Sequence, residues 1–322
     1  MSARTLEREA AVRARTPPPR RARHRSVRSR LAVAAFMSPW VIGFLVFILY
    51  PMVATLYFSF TKYDLLTPPQ WVGVFNYKFM FTSDPRFWQS VRNTLWIIGV
   101  GTASQIVFAI AAAMVLTRVR AGSGVYRTVF FVPTMVPAVA GALAFVFLLH
   151  PSGPVNSILG LLHLPKPLWF QDPIWSKPAL VLLGLWGIGE TMIIFLAAML
   201  DVPVHLYEAA DIEGAGGWQK FRYITLPMIS PVIFFAVVIG VITGFQYFAQ
   251  AYVASGGTDL TIGQPNGSLL FYSIWLYNQG FQYSHMGYAA AMAWVLFVIV
   301  MICTLILLRT SRRWVHYQGG FR

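Results

Sequence analysis

Long apolar stretches alternate with polar connections along this chain. Six stretches are long enough to cross a bilayer as helices, because about 20 apolar residues span its hydrocarbon core. Prolines interrupt the first stretch, Pro133 and Pro137 lie near the start of the third, and Glu190 is the single charge in the fourth. The predicted spans are 31–60, 93–117, 128–149, 178–200, 226–253 and 286–308.

The composition agrees with a lipid environment. Of 322 residues, 57% are hydrophobic and 11% are charged, and the mean hydropathy is +0.60. A soluble domain carries about 25% charged residues. Backbone polar groups in hydrocarbon must pair within the chain, so the sequence predicts an all-α integral membrane protein. Its single cysteine, Cys303, excludes an internal disulfide and a multi-cysteine zinc site.

The positive charges predict how the chain is oriented. With both termini in the cytoplasm, the inner segments hold nineteen Lys and Arg and the outer segments hold six. Ten of the nineteen are arginines in residues 1–30, a predicted disordered tail that contacts anionic lipid. No aromatic residue interleaves them, which disfavours nucleic-acid binding. The predicted organisation is therefore tail 1–30, membrane domain 31–308 and cytoplasmic tail 309–322.

The predicted outer connections are long. They cover residues 61–92, 150–177 and 254–285 and are rich in Gly, Pro, Asn and aromatic residues. The third connection contains an apolar run, 269–277, that is too short to span. We expect this run to form a re-entrant or interfacial helix that faces a central cavity.

The inner connection 201–227 has the pattern of a helix, a turn and a second short helix. Leu206, Ala209 and Ala210 are expected on one face of the first helix, with acidic residues elsewhere around it. Gly214 is suited to the left-handed conformation that ends a helix. Pro227 is expected to open the next span, where a missing N–H is tolerated. The pattern predicts a stiff cytoplasmic projection that fits a groove on another protein.

This connection resembles the EAA loop of ABC-importer permeases, which reads E-A-A-x3-G-x9-I-x-L-P. One departure is Glu213, where the family usually has Asp. Residues 71–77, 186–200 and 286–294 are similar to the carbohydrate (maltose-type) branch of that family. The resemblance implies the ABC type I importer permease fold in a bacterial plasma membrane. The matching residues are Glu208, Ala209, Ala210, Gly214, Ile224, Leu226 and Pro227.

The resemblance also implies partners. In the family this loop docks into a cleft on a cytoplasmic ATPase, with Glu208 as the polar anchor, Gly214 as the turn and Asp211 beside them. The chain lacks the G-x4-G-K-S/T loop that cradles phosphates, so ATP and Mg²⁺ are assigned to that partner. We therefore expect a non-enzymatic subunit without cofactor or metal. Its expected partners are two ATPase copies, a second homologous permease and an extracytoplasmic solute-binding protein.

Glu190 lies near the predicted mid-depth of the fourth span. A charge there costs at least about 2.5 kcal/mol, so we expect it to face the bundle interior or a water-filled cavity. It could contact the solute, clasp two helices by hydrogen bonds, or carry a proton. An intramembrane enzyme using Glu190 would need a second catalytic group. The other predicted spans hold no His, Asp, Lys or Arg to supply one.

The fifth span carries a predicted solute-binding face. Its polar residues follow the i, i+3, i+4, i+7 spacing of one helical face, and amides beside aromatic rings suit sugar hydroxyls. Interhelical hydrogen bonding is the alternative interpretation. Trp186, one turn before Glu190, is expected to form a third wall, and Ser104 and Gln105 are weaker candidates. The residues of the predicted face are Thr243, Gln246, Tyr247 and Gln250.

The sequence therefore predicts half of a sugar or oligosaccharide translocation pathway. The alternative is an ABC permease for another solute, such as glycerol phosphate. An anionic solute would require cationic groups in the cavity, and the predicted spans contain no Lys or Arg. This distribution favours a neutral sugar.

Overall fold

The computed structural model describes residues 27–119, 121–256, 263–313 and 315. This part of the chain is mostly helical. Its α-helices are α1 Val27–Phe44, α2 Tyr50–Ser59, α3 Phe75–Thr82, α4 Pro85–Trp96, α5 Ala103–Arg118, α6 Ser123–Phe131, α7 Ala138–Leu148, α8 Pro154–Leu161, α9 Pro173–Trp186, α10 Gly189–Leu200, α11 Val204–Ile212, α12 Gly217–Lys220, α13 Leu226–Met228, α14 Ser230–Phe245, α15 Ala249–Ala254, α16 Tyr272–Tyr277 and α17 Met286–Ser311.

Shorter elements join several of these helices. Strands β1 (Thr61–Lys62) and β2 (Gln70–Trp71) pair antiparallel, with Thr61 opposite Trp71. The 3-10 turns are Val132–Met135 and Trp169–Gln171, and the π-helical segments are Leu45–Leu49, Ile97–Thr102, Phe221–Thr225 and Asn278–Gln282.

The chain divides into two compact units, residues 1–54 and 55–322. In the described part of the first unit, α1 begins at Val27, and the rings of Trp40 and Phe44 stack 5.8 Å apart. The predicted basic tail lies outside the described residues up to position 26. Most of the predicted C-terminal tail, from 316 onward, also lies outside them.

Three described helices are long and apolar enough to cross a membrane: Leu31–Ser59, Pro85–Arg118 and Met286–Ser311. Three further pairs of helices qualify only when each bent pair counts as one span, which gives up to six. The pairs are Ser123–Met135 with Ala138–Leu148, Pro173–Trp186 with Gly189–Leu200, and Gly217–Met228 with Ser230–Phe245, bent by 99°, 53° and 65°. The number of spans and the side of each terminus remain predictions.

The bends correct three predicted spans. Residues 178–200 do not form one helix but divide between α9 and α10 at a bend of 53°. Residues 128–149 do not form one helix, because Pro137 lacks an N–H and Val136 before it is extended, with ψ of 126°. Pro227 does not open the fifth span but lies within α13. The straight part of that span begins at Ser230, with a proline in its first turn.

The predicted re-entrant run 269–277 forms α16 and the segment before it, and both are buried. Leu269, Phe271 and Ile274 are completely buried. The side-chain amide of Asn93 donates to the carbonyls of Gly267 and Leu270, at 2.7 and 2.8 Å. These bonds from α4 satisfy backbone groups that a returning segment leaves unpaired. This run of the predicted outer connection is therefore part of the hydrophobic core.

A close backbone approach at Gly189 supports the bend between α9 and α10. A Cβ at this position would overlap the backbone carbonyl of Phe130 at the end of α6. At Gly187, two residues earlier, the nearest atom to such a Cβ is 3.7 Å away, which is ordinary contact. Small residues at such positions let helices in a membrane approach closely.

We expect Gly189→Ala to destabilise the protein by about 2 kcal/mol, because the added methyl group forces α10 away from α6. Gly187→Ala is the matched control and should leave stability nearly unchanged. Thermal unfolding of the detergent-purified proteins measures both. Equal melting midpoints for the two variants would show that the α6–α10 approach tolerates a methyl group.

Candidate functional site

A polar pocket of about 380 Å³ lies between α5, α9, α14 and α15. The π-helical segment Ile97–Thr102, between α4 and α5, forms one of its walls. Such segments are frequent at functional sites, because they widen the helix locally. The residues that line the pocket are Ile97, Gly101, Thr102, Gln105, Leu180, Val181, Gly240, Thr243, Gly244, Gln246, Tyr247 and Gln250.

Glycines set the shape of this pocket. Gly240 and Gly244 lie one turn apart on α14, and a Cβ on either would overlap the side chain of Thr102 or Ile98. The spacing is the small-xxx-small pattern that brings membrane helices together. Gly184 on α9 likewise leaves room for the amide of Gln105. The close contacts fix where the polar side chains lie.

Three glutamines give the pocket its polar character. Gln105 and Gln250 are half-buried, Gln246 is exposed, and none of the three side chains hydrogen-bonds to another described residue. An amide both donates and accepts hydrogen bonds. The hydroxyl of Thr243 is already used, because it donates to the carbonyl of Ile239 at 2.9 Å. The glutamines therefore remain available to a ligand.

The four residues of the predicted fifth-helix face do line one pocket, but they do not share a helical face. Helix α14 ends at Phe245, and Gln250 belongs to the separate helix α15. The hydroxyl of Ser273 donates to the carbonyl of Phe245 at 3.0 Å, which satisfies a group left open at the helix end. Tyr247 then turns toward Phe271, with ring centroids 5.4 Å apart. Contacts with residues far along the chain, and not helical periodicity, therefore bring these four residues together.

Trp186 and Glu190 lie outside this pocket. Trp186 is the last residue of α9 and Glu190 is in the first turn of α10, beyond the 53° bend. The expectation that they share one side of a continuous helix is wrong. The Trp186 ring packs against Phe145, 5.7 Å between centroids. Glu190 lies on the exposed surface of the described chain.

The sequence interpretation missed Thr102 and the glycines of the pocket. The spacing of Gly240 and Gly244 was visible in an otherwise apolar span and could have indicated a close helix approach. No comparable signal marks Thr102, because its position beside Gly240 depends on how the two helices pack.

The predicted inner connection, residues 201–227, forms two helical arms. Helix α11 ends at Ile212, and Gly214 has a φ of +76°, which confirms the predicted left-handed turn. The N–H of Ala215 closes the turn on the carbonyl of Ala210 at 2.9 Å. The second arm runs from Gly217 to Met228. Glycine adopts this φ without the steric cost of a Cβ.

Side-chain contacts hold the two arms together. Asp211 on the first arm forms an ion pair with Lys220 on the second. The hydroxyls of Tyr207 and Thr225 are hydrogen-bonded at 2.8 Å. Behind the arms lies a pocket of about 360 Å³ that is also lined by Thr117 at the end of α5. The projection is thus a braced unit seated against the ends of α5 and α10.

The exposed surface of the projection carries an acidic side chain beside large apolar side chains. Glu208 is exposed on α11, and Ile212 and Trp218 are 89% and 71% exposed. Leu206 and Ala210 are half-buried, but Ala209 is exposed beside Glu208, so the three do not share the expected face. Exposed large apolar side chains beside charges are typical of interaction surfaces. Ile224, Leu226 and Pro227 are half-buried.

The fold and these two sites define a helical membrane protein with a polar pocket and a braced projection. Residues 105–316 match the model of a family described as binding-protein-dependent transport system inner membrane component, and the chain belongs to this family. It is therefore an inner-membrane permease component of ABC transport systems.

Two curated relatives align over most of the chain. The probable ABC transporter permease protein YesP of Bacillus subtilis is 42% identical over 298 residues, covering 92% of this chain and 95% of that protein. The arabinooligosaccharides transport system permease protein AraP of the same organism is 31% identical over 283 residues, covering 86% and 87%.

A solved structure has the same fold. It is a chain of a bacterial ABC transporter involved in the import of the acidic polysaccharide alginate. The two chains superpose with a TM-score of 0.73 at 24% identity, over 90% of this chain and 98% of that chain. The type I importer permease fold predicted from the sequence is therefore confirmed at the level of architecture.

Proposed function

We propose that this chain is the permease subunit of an ATP-driven importer of sugars or oligosaccharides and forms half of the translocation pathway. The observation that carries the proposal is the pocket with three glutamines whose amides have no partner among the described residues. Amides that donate and accept suit sugar hydroxyls. The similarity to the arabinooligosaccharide permease supports the same solute class.

We propose further that the projection 201–227 is the EAA coupling loop. In this proposal Glu208, Ala209 and the exposed apolar residues beside them dock into a cleft of an ATPase subunit. The chain supplies docking and movement, while two ATPase copies bind ATP and Mg²⁺. A second, homologous permease completes the pathway, and a solute-binding protein delivers the solute from outside. Six spans with both termini in the cytoplasm are consistent with this arrangement.

Helices α5 and α14 are the proposed mechanical links between the two sites. Gln105 lines the pocket near the start of α5, and Thr117 lies behind the projection at its end. The rise of an α-helix puts them about 18 Å apart. Helix α14 connects Ser230, beside the projection, to Thr243 in the pocket over about 20 Å. A packed helix moves as a rigid body, so displacement of the projection would reshape the pocket walls.

We expect Gln246→Ala to lower the rate of ATP-dependent oligosaccharide uptake about tenfold, because the amide lost is one of three proposed hydroxyl ligands. The assay uses membrane vesicles that contain the complete importer, with and without its binding protein. Gln70→Ala, on the exposed strand β2, is the matched control. Uptake that proceeds without ATP, or that is equal in both variants, would contradict the proposal.

A further inference from the structure

Two cations lie near the polar pocket, one on α9, which lines it, and one on α4, which leads into its π-helical wall. Lys177 is on α9, one turn before the pocket residue Val181. Arg92 is on α4, and Trp96, one turn later, directly precedes the pocket residue Ile97. The sequence interpretation had assigned both cations to outer connections. The structure begins α4 at Pro85 and α9 at Pro173, which brings them into the helical bundle.

The two helices run parallel here. Lys177 lies beside Trp96, its ammonium 5.5 Å from the centre of the indole ring. Seven residues further along α9, Gly184 lies beside Gln105 of α5. Lys177 and Arg92 are therefore at the same end of the pocket, the end at which both helices start. In the proposed topology this end faces outward.

No carboxylate among the described residues forms an ion pair with either of these two charges. Among the described residues, Lys220–Asp211 is the one ion pair, so neither Arg92 nor Lys177 has a carboxylate within ion-pair distance. Both lie beside Trp96, with the half-buried Lys177 over its ring and the exposed Arg92 one turn before it on α4. Two nearby cations without a counter-charge repel each other, and partial burial strengthens the repulsion. A bound anion would relieve it.

We propose that Lys177 and Arg92 form an anion-recognition site at the outer mouth of the pocket, and that the transported solute is a saccharide bearing carboxylate groups. This inference rests on the proposed import function and specifies its substrate class. The guanidinium and the ammonium match carboxylates, and the glutamines beyond them match hydroxyls. A carbohydrate with carboxylate groups is the solute class that presents both kinds of group along one molecule.

The test compares short oligogalacturonides with neutral galacto-oligosaccharides of equal length. Vesicles containing the complete importer and its binding protein are assayed for ATP-dependent uptake of each. Lys177→Met removes the charge but retains an apolar stem over Trp96, and Arg92→Gln removes the second charge. Lys177→Arg retains the charge. Lys78→Met, which changes an exposed lysine on α3 outside the pocket lining, is the matched control.

We expect the wild-type importer to carry the acidic sugars faster than the neutral ones. Lys177→Met and Arg92→Gln should each slow acidic uptake about tenfold, and added salt should slow it as well. Lys177→Arg and Lys78→Met should retain most of the activity. Because the binding protein is the same throughout, the differences between variants in uptake of one sugar report on the permease.

Faster uptake of neutral sugars would overturn the inference and leave the proposed function intact. Unchanged acidic uptake in both charge-removing variants would do the same. Saccharide uptake that does not depend on ATP would count against the proposed function itself, and the inference would fall with it.

Discussion

The Glu208→Lys permease should reach the membrane in normal amounts and yet lose its ATPase on purification. Glu208 is exposed on the outer side of α11, so the change leaves the packing of the projection intact. In the proposed complex the carboxylate is buried against the ATPase. Reversing a charge inside an interface costs at least about 2 kcal/mol. Recovery of the ATPase should therefore fall about thirtyfold or more, and ATP-driven uptake should stop.

Asp201→Lys is the matched control for this variant. Asp201 is an exposed carboxylate at the end of α10, and it does not belong to the proposed docking residues. Quantifying the ATPase that co-purifies with each tagged permease gives the answer. If the Glu208→Lys protein retains as much ATPase as the Asp201→Lys protein, Glu208 is not the anchor.

The Asp84→Ala variant should show the largest loss of stability. Asp84 is only 6% exposed and joins three elements. One carboxylate oxygen caps α4 by accepting from the N–H groups of Arg86 and Phe87, at 3.0 and 3.1 Å. The other accepts from the indole of Trp275 at 2.7 Å and from the hydroxyl of Tyr288 at 2.6 Å. Its removal leaves buried donors on α16 and α17 without a partner.

We expect a cost of about 4 kcal/mol, since each stranded donor costs about 1–3 kcal/mol and the lost cap about 1 kcal/mol. Asp172→Ala is the matched control. Asp172 also precedes a proline and caps a helix, by accepting from Ile174 N–H at 2.8 Å, but it joins no other element. In thermal unfolding in detergent, Asp84→Ala should lower the midpoint temperature far more than Asp172→Ala does. Similar unfolding midpoints for the two variants would show that Asp84 contributes no more stability than a helix cap.

Local sequence patterns predicted the projection and most of the helical stretches. The left-handed turn at Gly214 follows from what one residue and its neighbours allow. The apolar run 269–277 was recognised as too short to span because length alone decides that point. Its burial between α4 and α17 could not be predicted from local patterns, because it depends on Asn93 and Asp84, nearly two hundred residues away.

The pocket shows where local reasoning fails. The polar residues 243–250 were grouped correctly, but the helical face invoked for them does not exist. They still line one pocket because the chain turns after Phe245. There Ser273 donates to the Phe245 carbonyl and Phe271 packs against Tyr247. Glu190 was predicted beside them from depth alone. The bend at Gly187 separates Trp186 from Glu190, and no periodicity rule encodes a bend of this kind.

The sequence by itself determined that this chain is a helical membrane protein with a helix–turn–helix connection at residues 201–227. Hydrophobic length and helix-ending residues act over one or two turns, and neighbouring residues suffice to specify them. The tertiary structure alone decided that three glutamines share a pocket, that Asp84 joins α4 to α16 and α17, and that Lys177 stands beside Trp96. Such placements depend on how distant helices pack, and packing is settled by the shapes of all the partners at once.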